Sequence, residues 1–139
     1  MGSRPVTRLL HLPVRLHGIQ LGQPIDVLLD VASWQMLGFV VRCGDETMRF
    51  LPFAACNPSD EDIAVQSALM LLEDVAFYEK RGVSFRSLLN GTVGIHGSLV
   101  DAWVAQGGAV AELEVDRDGT RRRIPAAGQR VAATRASAA

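Results

Sequence analysis

A mainly β fold made of two strand-rich halves is predicted by three features of this 139-residue sequence. Apolar residues alternate with polar ones along Ile25, Val27 and Leu29 and again along Leu37, Phe39 and Val41, the period-two pattern of half-buried strands. Glycine-containing turn signals separate these runs. The stretch GQPIDVLLDVASWQMLGFVV, from Gly22 to Val41, also returns in weaker form as GSLVDAWVAQGGAVAELEV, from Gly97 to Val115. The offset that carries Gly22 to Gly97 also carries Asp26 to Asp101. It shortens by one position between Phe39 and Leu113, and by one more between Leu51 and Ile124. Both losses fall in expected turns, and the buried parity survives them. A slip of one residue would turn every core side chain outward, so preserved parity marks a structural repeat.

The elements follow in order. The N-terminal segment is interrupted by Pro5, Arg8, His11, Pro13 and Arg15, so it lacks the unbroken apolar core of a signal peptide. In the first half, two strands flank a turn at Trp34, and Cys43-Gly44-Asp45 leads into a third strand, MRFLPF. In the second half, Asp118-Gly119 leads into TRRRIP, and Asp-Gly between alternating runs is a strong hairpin signal. Pro52 and Pro125 each close a strand or sit on an edge. Between the copies, Ser59 and Asp62 resemble a capping box, while IAVQS alternates; Asp62 to Ser67 is expected as a closing strand, followed by a helix from about Leu69 to Lys80 that ends at Gly82.

Fourteen basic residues balance fifteen acidic ones, so bulk charge gives no reason to expect nucleic acid or an anionic membrane. No run approaches the roughly 18 apolar residues of a membrane span, and a cytoplasmic protein is expected. Cys43 and Cys56 stand apart without CxxC spacing and are expected as two buried thiols. His17 and His96 occupy glycine-flanked loops without ligand-spaced carboxylates or thiols, so no metal is expected. No GxSxG, GxGxxG or P-loop pattern stands in context, so neither catalytic residues nor a cofactor are expected.

The succession LHGIQLGQPIDVLLD, LGFVV, RFLPF and DIAVQSALMLLE resembles the PRC-barrel family, the small β-barrel of the photosynthetic reaction-centre H subunit and of the ribosome maturation factor RimM. The resemblance lies in the order of glycine, strand, aspartate, strand, Leu-Pro and closing strand. It implies a PRC-type barrel with its closing strand and short helix over residues 8 to 82 and a second, shorter and diverged half over 83 to 131; the tail over 132 to 139 has no pattern and is expected to fray. The resemblance further implies a module that holds partners without a shared catalytic residue. The leading expectation is a non-catalytic protein-interaction or assembly module; the alternative, similar to RimM, is an RNA-linked or ribosome-assembly factor.

Certain residues carry these expectations. Asp26 and Asp101, equivalent in the two copies, are expected to accept backbone N–H bonds near the strand starts. Trp34 at a hairpin tip is a candidate anchor for a protein partner, or else folds back over the barrel end or onto the other half. Phe50 and Phe53 fall opposite Arg123 and Ala126, so one half is greasy where the other is basic. Arg121, Arg122 and Arg123 form the dense basic run, expected as a charge-guarded edge strand, with RNA contact the less favoured use. The second half shows no evident equivalent of DIAVQS. The open edge this would leave makes the second half the expected site of association, as a homodimer or as a socket for a partner strand.

Overall fold

The computed structural model describes residues 3–132, and the chain is mainly β with curled sheets. In chain order the elements are β1 (Arg4–Pro5), α1 (Val6–Leu9), β2 (Val14–Leu16), β3 (Ile19–Asp30), β4 (Gln35–Cys43), β5 (Met48–Pro52), β6 (Cys56–Pro58), β7 (Ile63–Val65), α2 (Val75–Glu79), β8 (Val83–Ser84), α3 (Phe85–Leu88), β9 (Thr92–Val93), β10 (Gly97–Val104), β11 (Val110–Arg117), β12 (Thr120–Pro125) and β13 (Val131–Ala132). Single 3-10 turns occupy Phe53–Ala55 and Ala68–Met70. No helix among the described residues is long and apolar enough to cross a membrane.

The strands form two sheets. One runs β5-β4-β3-β2-β7-β6 with β8 added against β3; the other runs β12-β11-β10-β9-β13 with β1 added against β10. In the first, the β3–β4 register breaks between Pro24 and Asp26 and again between Leu28 and Leu29. In the second, the β10–β11 register breaks at the equivalent positions, between Leu99 and Asp101 and between Trp103 and Val104. A bulge bends its strand and increases local twist, so matched bulges curl the two sheets at corresponding places. Val27 pairs with Phe39 as Ala102 pairs with Leu113, and Val40 pairs with Phe50 as Glu114 pairs with Arg123. Phe39 and Leu113 are both fully buried, in one contiguous apolar cluster that runs through both sheets and includes Val6, Leu9, Phe85 and Leu88.

The added strands cross over. β1 and α1 begin the chain yet lie on the second sheet, and β8 and α3, which the sequence places at the start of the second half, lie on the first. The two equivalent aspartates are where these arms are tied. Asp26 accepts bonds from the Val27 N–H (2.8 Å), the Arg86 N–H (3.1 Å) and the Ser84 hydroxyl. Asp101 accepts from the Ala102 N–H (2.9 Å), the Thr7 N–H (3.2 Å) and the Thr7 hydroxyl. Each carboxylate thus satisfies donors at the start of a short helix that arrives from the other side of the chain, where the first N–H groups have no partner of their own.

In the connecting segment the strand Ile63–Val65 falls within the expected Asp62 to Ser67, and only the expected helix needs correction. Ser59 caps a turn, accepting from the Glu61 and Asp62 N–H groups at 3.2 Å, and no helix starts there. The closing strand is β7, which runs parallel to β2. The expected helix from Leu69 to Lys80 contracts to α2, because Leu72 exchanges both backbone bonds with Phe50 on the edge of β5, each at 2.8 Å, and so stays extended. Asp74 then starts α2 by accepting the Phe77 N–H at 3.1 Å. In the second sheet β13 pairs with β9, in the place that β7 holds beside β2 but antiparallel. Ala132, expected in a frayed tail, pairs with Thr92; the rest of that tail lies outside the described residues.

Candidate partner-binding surfaces

Trp34 is the residue whose placement most changes the search for a surface. It adopts a left-handed φ of 53° in the turn between β3 and β4, yet its side chain is only 4% exposed. The indole N–H donates to the Gln129 carbonyl at 3.1 Å, and the Trp34 carbonyl accepts the Val110 N–H at 2.8 Å. Its hairpin tip meets the tip between β10 and β11: Met36 N–H donates to the Gly108 carbonyl at 2.8 Å, and the Gln35 amide donates to the Gly107 carbonyl at 3.1 Å. A Cβ at Gly108 would stand 2.6 Å from the Gln35 amide nitrogen and 3.0 Å from the Phe53 ring. The two tips are therefore joined by backbone and amide bonds and by close packing at Gly108, while the indole is buried beside Gln129. Trp34 offers almost no surface to a partner.

Phe50 is likewise unavailable, at 2% exposed. With Leu28 and Val40 it forms a small cluster on the outer face of the first sheet, packed under Val75 and Tyr78, and the Phe50 and Tyr78 rings stack with centroids 4.2 Å apart. The corresponding outer positions of the second sheet are Trp103, Glu114 and Arg123, which carry charge and an indole and, among the described residues, lie under no helix. Comparison of the two copies signals the substitution at Phe50 and Arg123; those at Leu28 with Trp103 and Val40 with Glu114 are recognisable only once all three share a face.

Phe53 is half-buried and lines a groove of about 410 Å³ where the two sheets adjoin. Leu9, Ala54, Cys56, Pro58 and Val104 share this groove, and Arg4 at its rim is paired with Asp60. Cys43 is buried as expected, whereas Cys56 is only partly so. Its thiol donates to the Phe53 carbonyl at 3.3 Å, and burial pushes its pKa up to about 12. The thiolate is the nucleophile, so this shift disfavours reaction at Cys56 near neutrality despite its place in a groove. Treatment of the folded protein with iodoacetamide at pH 8 is expected to label Cys56 at least ~100-fold more slowly than the unfolded chain, on the order of the lost thiolate fraction. Labelling at the unfolded rate would show an open, ionised thiol.

The three arginines of β12 are all exposed and divide between two faces. Arg121 approaches Glu114 at 4.0 Å and Asp116 at 3.7 Å; Arg123 approaches Glu112 at 3.7 Å and lies 4.1 Å over the Trp103 ring. Trp103 in turn donates to Glu114 at 2.9 Å. These two cations are thus offset by carboxylates on the neighbouring strand. Arg122, on the other face, meets the His96 ring at 3.2 Å and, among the described residues, pairs with no carboxylate. Among the described residues no three His, Cys, Asp or Glu side chains converge as a metal-binding group would. No protein-family model matches the chain, and no curated protein matches it.

Proposed function

We propose that this chain is a non-catalytic interaction module of the PRC-barrel type, a diverged tandem of two such halves that holds a protein partner. The order of strands, aspartate and Leu-Pro that resembles the family supports the type. Bulges at equivalent places in the two copies, and equivalent aspartates that each receive an arm, support the tandem. The observation that carries the function is an asymmetry between the halves. The outer face and edge of the first sheet are covered by Leu72, Val75 and Tyr78, whereas the matching face and edge of the second sheet carry Trp103 and Arg123 and lie uncovered among the described residues. A surface that one half seals with its own chain is the natural seat for a partner in the other.

The RNA-linked alternative is weaker. Arg121 and Arg123 already face Glu112, Glu114 and Asp116, which would repel phosphates at the same place. Affinity capture by the full chain from its native cell, followed by identification of bound protein and RNA, tests the function. The expected result is a protein partner that survives nuclease treatment. RNA that is lost steeply as salt rises, and lost again when Arg121, Arg122 and Arg123 are changed to serine, would establish the alternative instead.

A further inference from the structure

The first sheet shows how an edge of this fold is used. Phe50 stands in the middle of β5, opposite Val40, and its N–H and C=O point away from β4 to meet Leu72. Beside it Arg49 approaches Glu73, the next residue of the added segment, at 3.8 Å. The chain therefore lays Leu72, with the acidic Glu73 beside it, along this edge.

The same edge of the second sheet has no such cover. Asp118 and Gly119, with φ of 54° and 84°, form the two-residue turn that closes on the pair Arg117 and Thr120. In an antiparallel hairpin closed this way, every second pair exchanges hydrogen bonds. The pairs Asp116 with Arg121 and Glu114 with Arg123 are the others, so the N–H and C=O groups of Arg121 and Arg123 point outward from the sheet. Among the described residues no backbone group bonds them from outside. Arg123 is the counterpart of Phe50, and Arg122 the counterpart of Arg49, at the same offset that relates Leu51 to Ile124.

We propose that the edge of β12 takes an extended, acidic, β-forming segment of a partner protein, paired through the backbone of Arg121 and Arg123 as Leu72 pairs with Phe50. This rests on the interaction-module function and specifies its surface. Strand addition satisfies the bare donors and acceptors, and side chains set the choice of strand. Arg122 takes the carboxylate that Glu73 supplies to Arg49 in the first half. A second copy of this chain is a poor occupant: antiparallel pairing of β12 with itself sets arginine against arginine, and like charges directly opposite destabilise a sheet.

The test uses the full chain, isotope-labelled, titrated with two synthetic eight-residue peptides that alternate valine with glutamate or valine with lysine, while backbone amides are followed by NMR. The glutamate peptide is expected to shift and protect the Arg121 and Arg123 amides saturably, and to bind at least ~10-fold tighter than the lysine peptide. Arg123→Pro removes an outward N–H that the β11–β12 ladder does not use, and is expected to weaken binding at least ~10-fold. Arg122→Glu leaves the backbone untouched and is expected to reverse the preference between the peptides. Equal binding of both peptides, shifts confined to the groove at Phe53, or no saturable binding at millimolar peptide overturns the proposal. So does a dimer seen by light scattering that Arg123→Pro dissolves, which would make the occupant a second copy. A captured partner protein that binds Arg123→Pro and Arg122→Glu as well as the native chain would leave the module function standing and overturn this edge as its site.

Discussion

Trp34→Ala is expected to cost about 3–5 kcal/mol, the range found when a large buried aromatic is truncated. The loss has two sources. The indole is buried beside Gln129, so its removal leaves a cavity where the backbone bonds of Trp34 and Met36 to the second sheet's tip restrict collapse. The Gln129 carbonyl also loses its donor. Trp34→Phe is expected to lie between, because a six-membered ring remains while the five-membered ring and its N–H are gone; about 1 kcal/mol of its loss is the hydrogen bond and the rest a smaller cavity. Urea unfolding measures both variants, with Trp103 left as the fluorescent reporter. A Trp34→Ala protein with the native midpoint would show that the tips do not hold the two sheets together.

Asp101→Ala is expected to cost about 3 kcal/mol, and Asp26→Ala about 1 kcal/mol, since unpaired buried donors cost far more than hydrated ones. The two aspartates have matching bonds but different surroundings. Asp101 is 9% exposed and its bond from the Ala102 N–H is buried, so that donor would be left without water or partner. Asp26 is half-buried, and water can replace it at Ser84 and Arg86. Unfolding free energies of the two variants in the same buffer decide the matter; equal losses, or a larger loss at Asp26, would contradict the role of burial. Limited proteolysis is expected to cleave the Asp101→Ala protein first near Thr7, because that arm is the one released.

Local pattern made the strands legible. Parity along Ile25, Val27 and Leu29, the Asp118-Gly119 turn, and Pro52 and Pro125 at strand ends all report interactions within a few residues. The acceptor role of Asp26 and Asp101 was also legible, although both lie within their strands, beside a bulge, and not at the strand starts. Which donors was not. Thr7 and Asp101 are far apart along the chain, and nothing in either neighbourhood encodes the pairing. The segment at Leu69 to Lys80 failed for a related reason: its helical pattern is real, but the edge of β5 claims the backbone of Leu72, and the helix survives only over Val75–Glu79. Sequence left Trp34 between a partner anchor and a fold-back and made Phe50 a candidate surface residue, because the groups that meet their side chains, Gln129 and Tyr78, come from distant parts of the chain. The charge of Arg121 to Arg123 was legible as a guarded edge, whereas its compensation by Glu112, Glu114 and Asp116 emerged only from the register of β11 against β12.

The crossed arms impose an order of events on a chain made from its N-terminus. Val6 and Leu9 must wait for a strand whose aspartate is synthesised 94 residues after Thr7, which at about 5–20 residues per second is a delay of roughly 5–20 seconds. The first sheet gains its own missing arm sooner, once Ser84 and Arg86 have emerged, and can then close around Asp26. During that interval the apolar face of α1 has no native place to go. Thr7 and its neighbours, made before β10, are therefore among the last to settle, and until β10 emerges the apolar side chains of Val6 and Leu9 need shelter, for example by a chaperone.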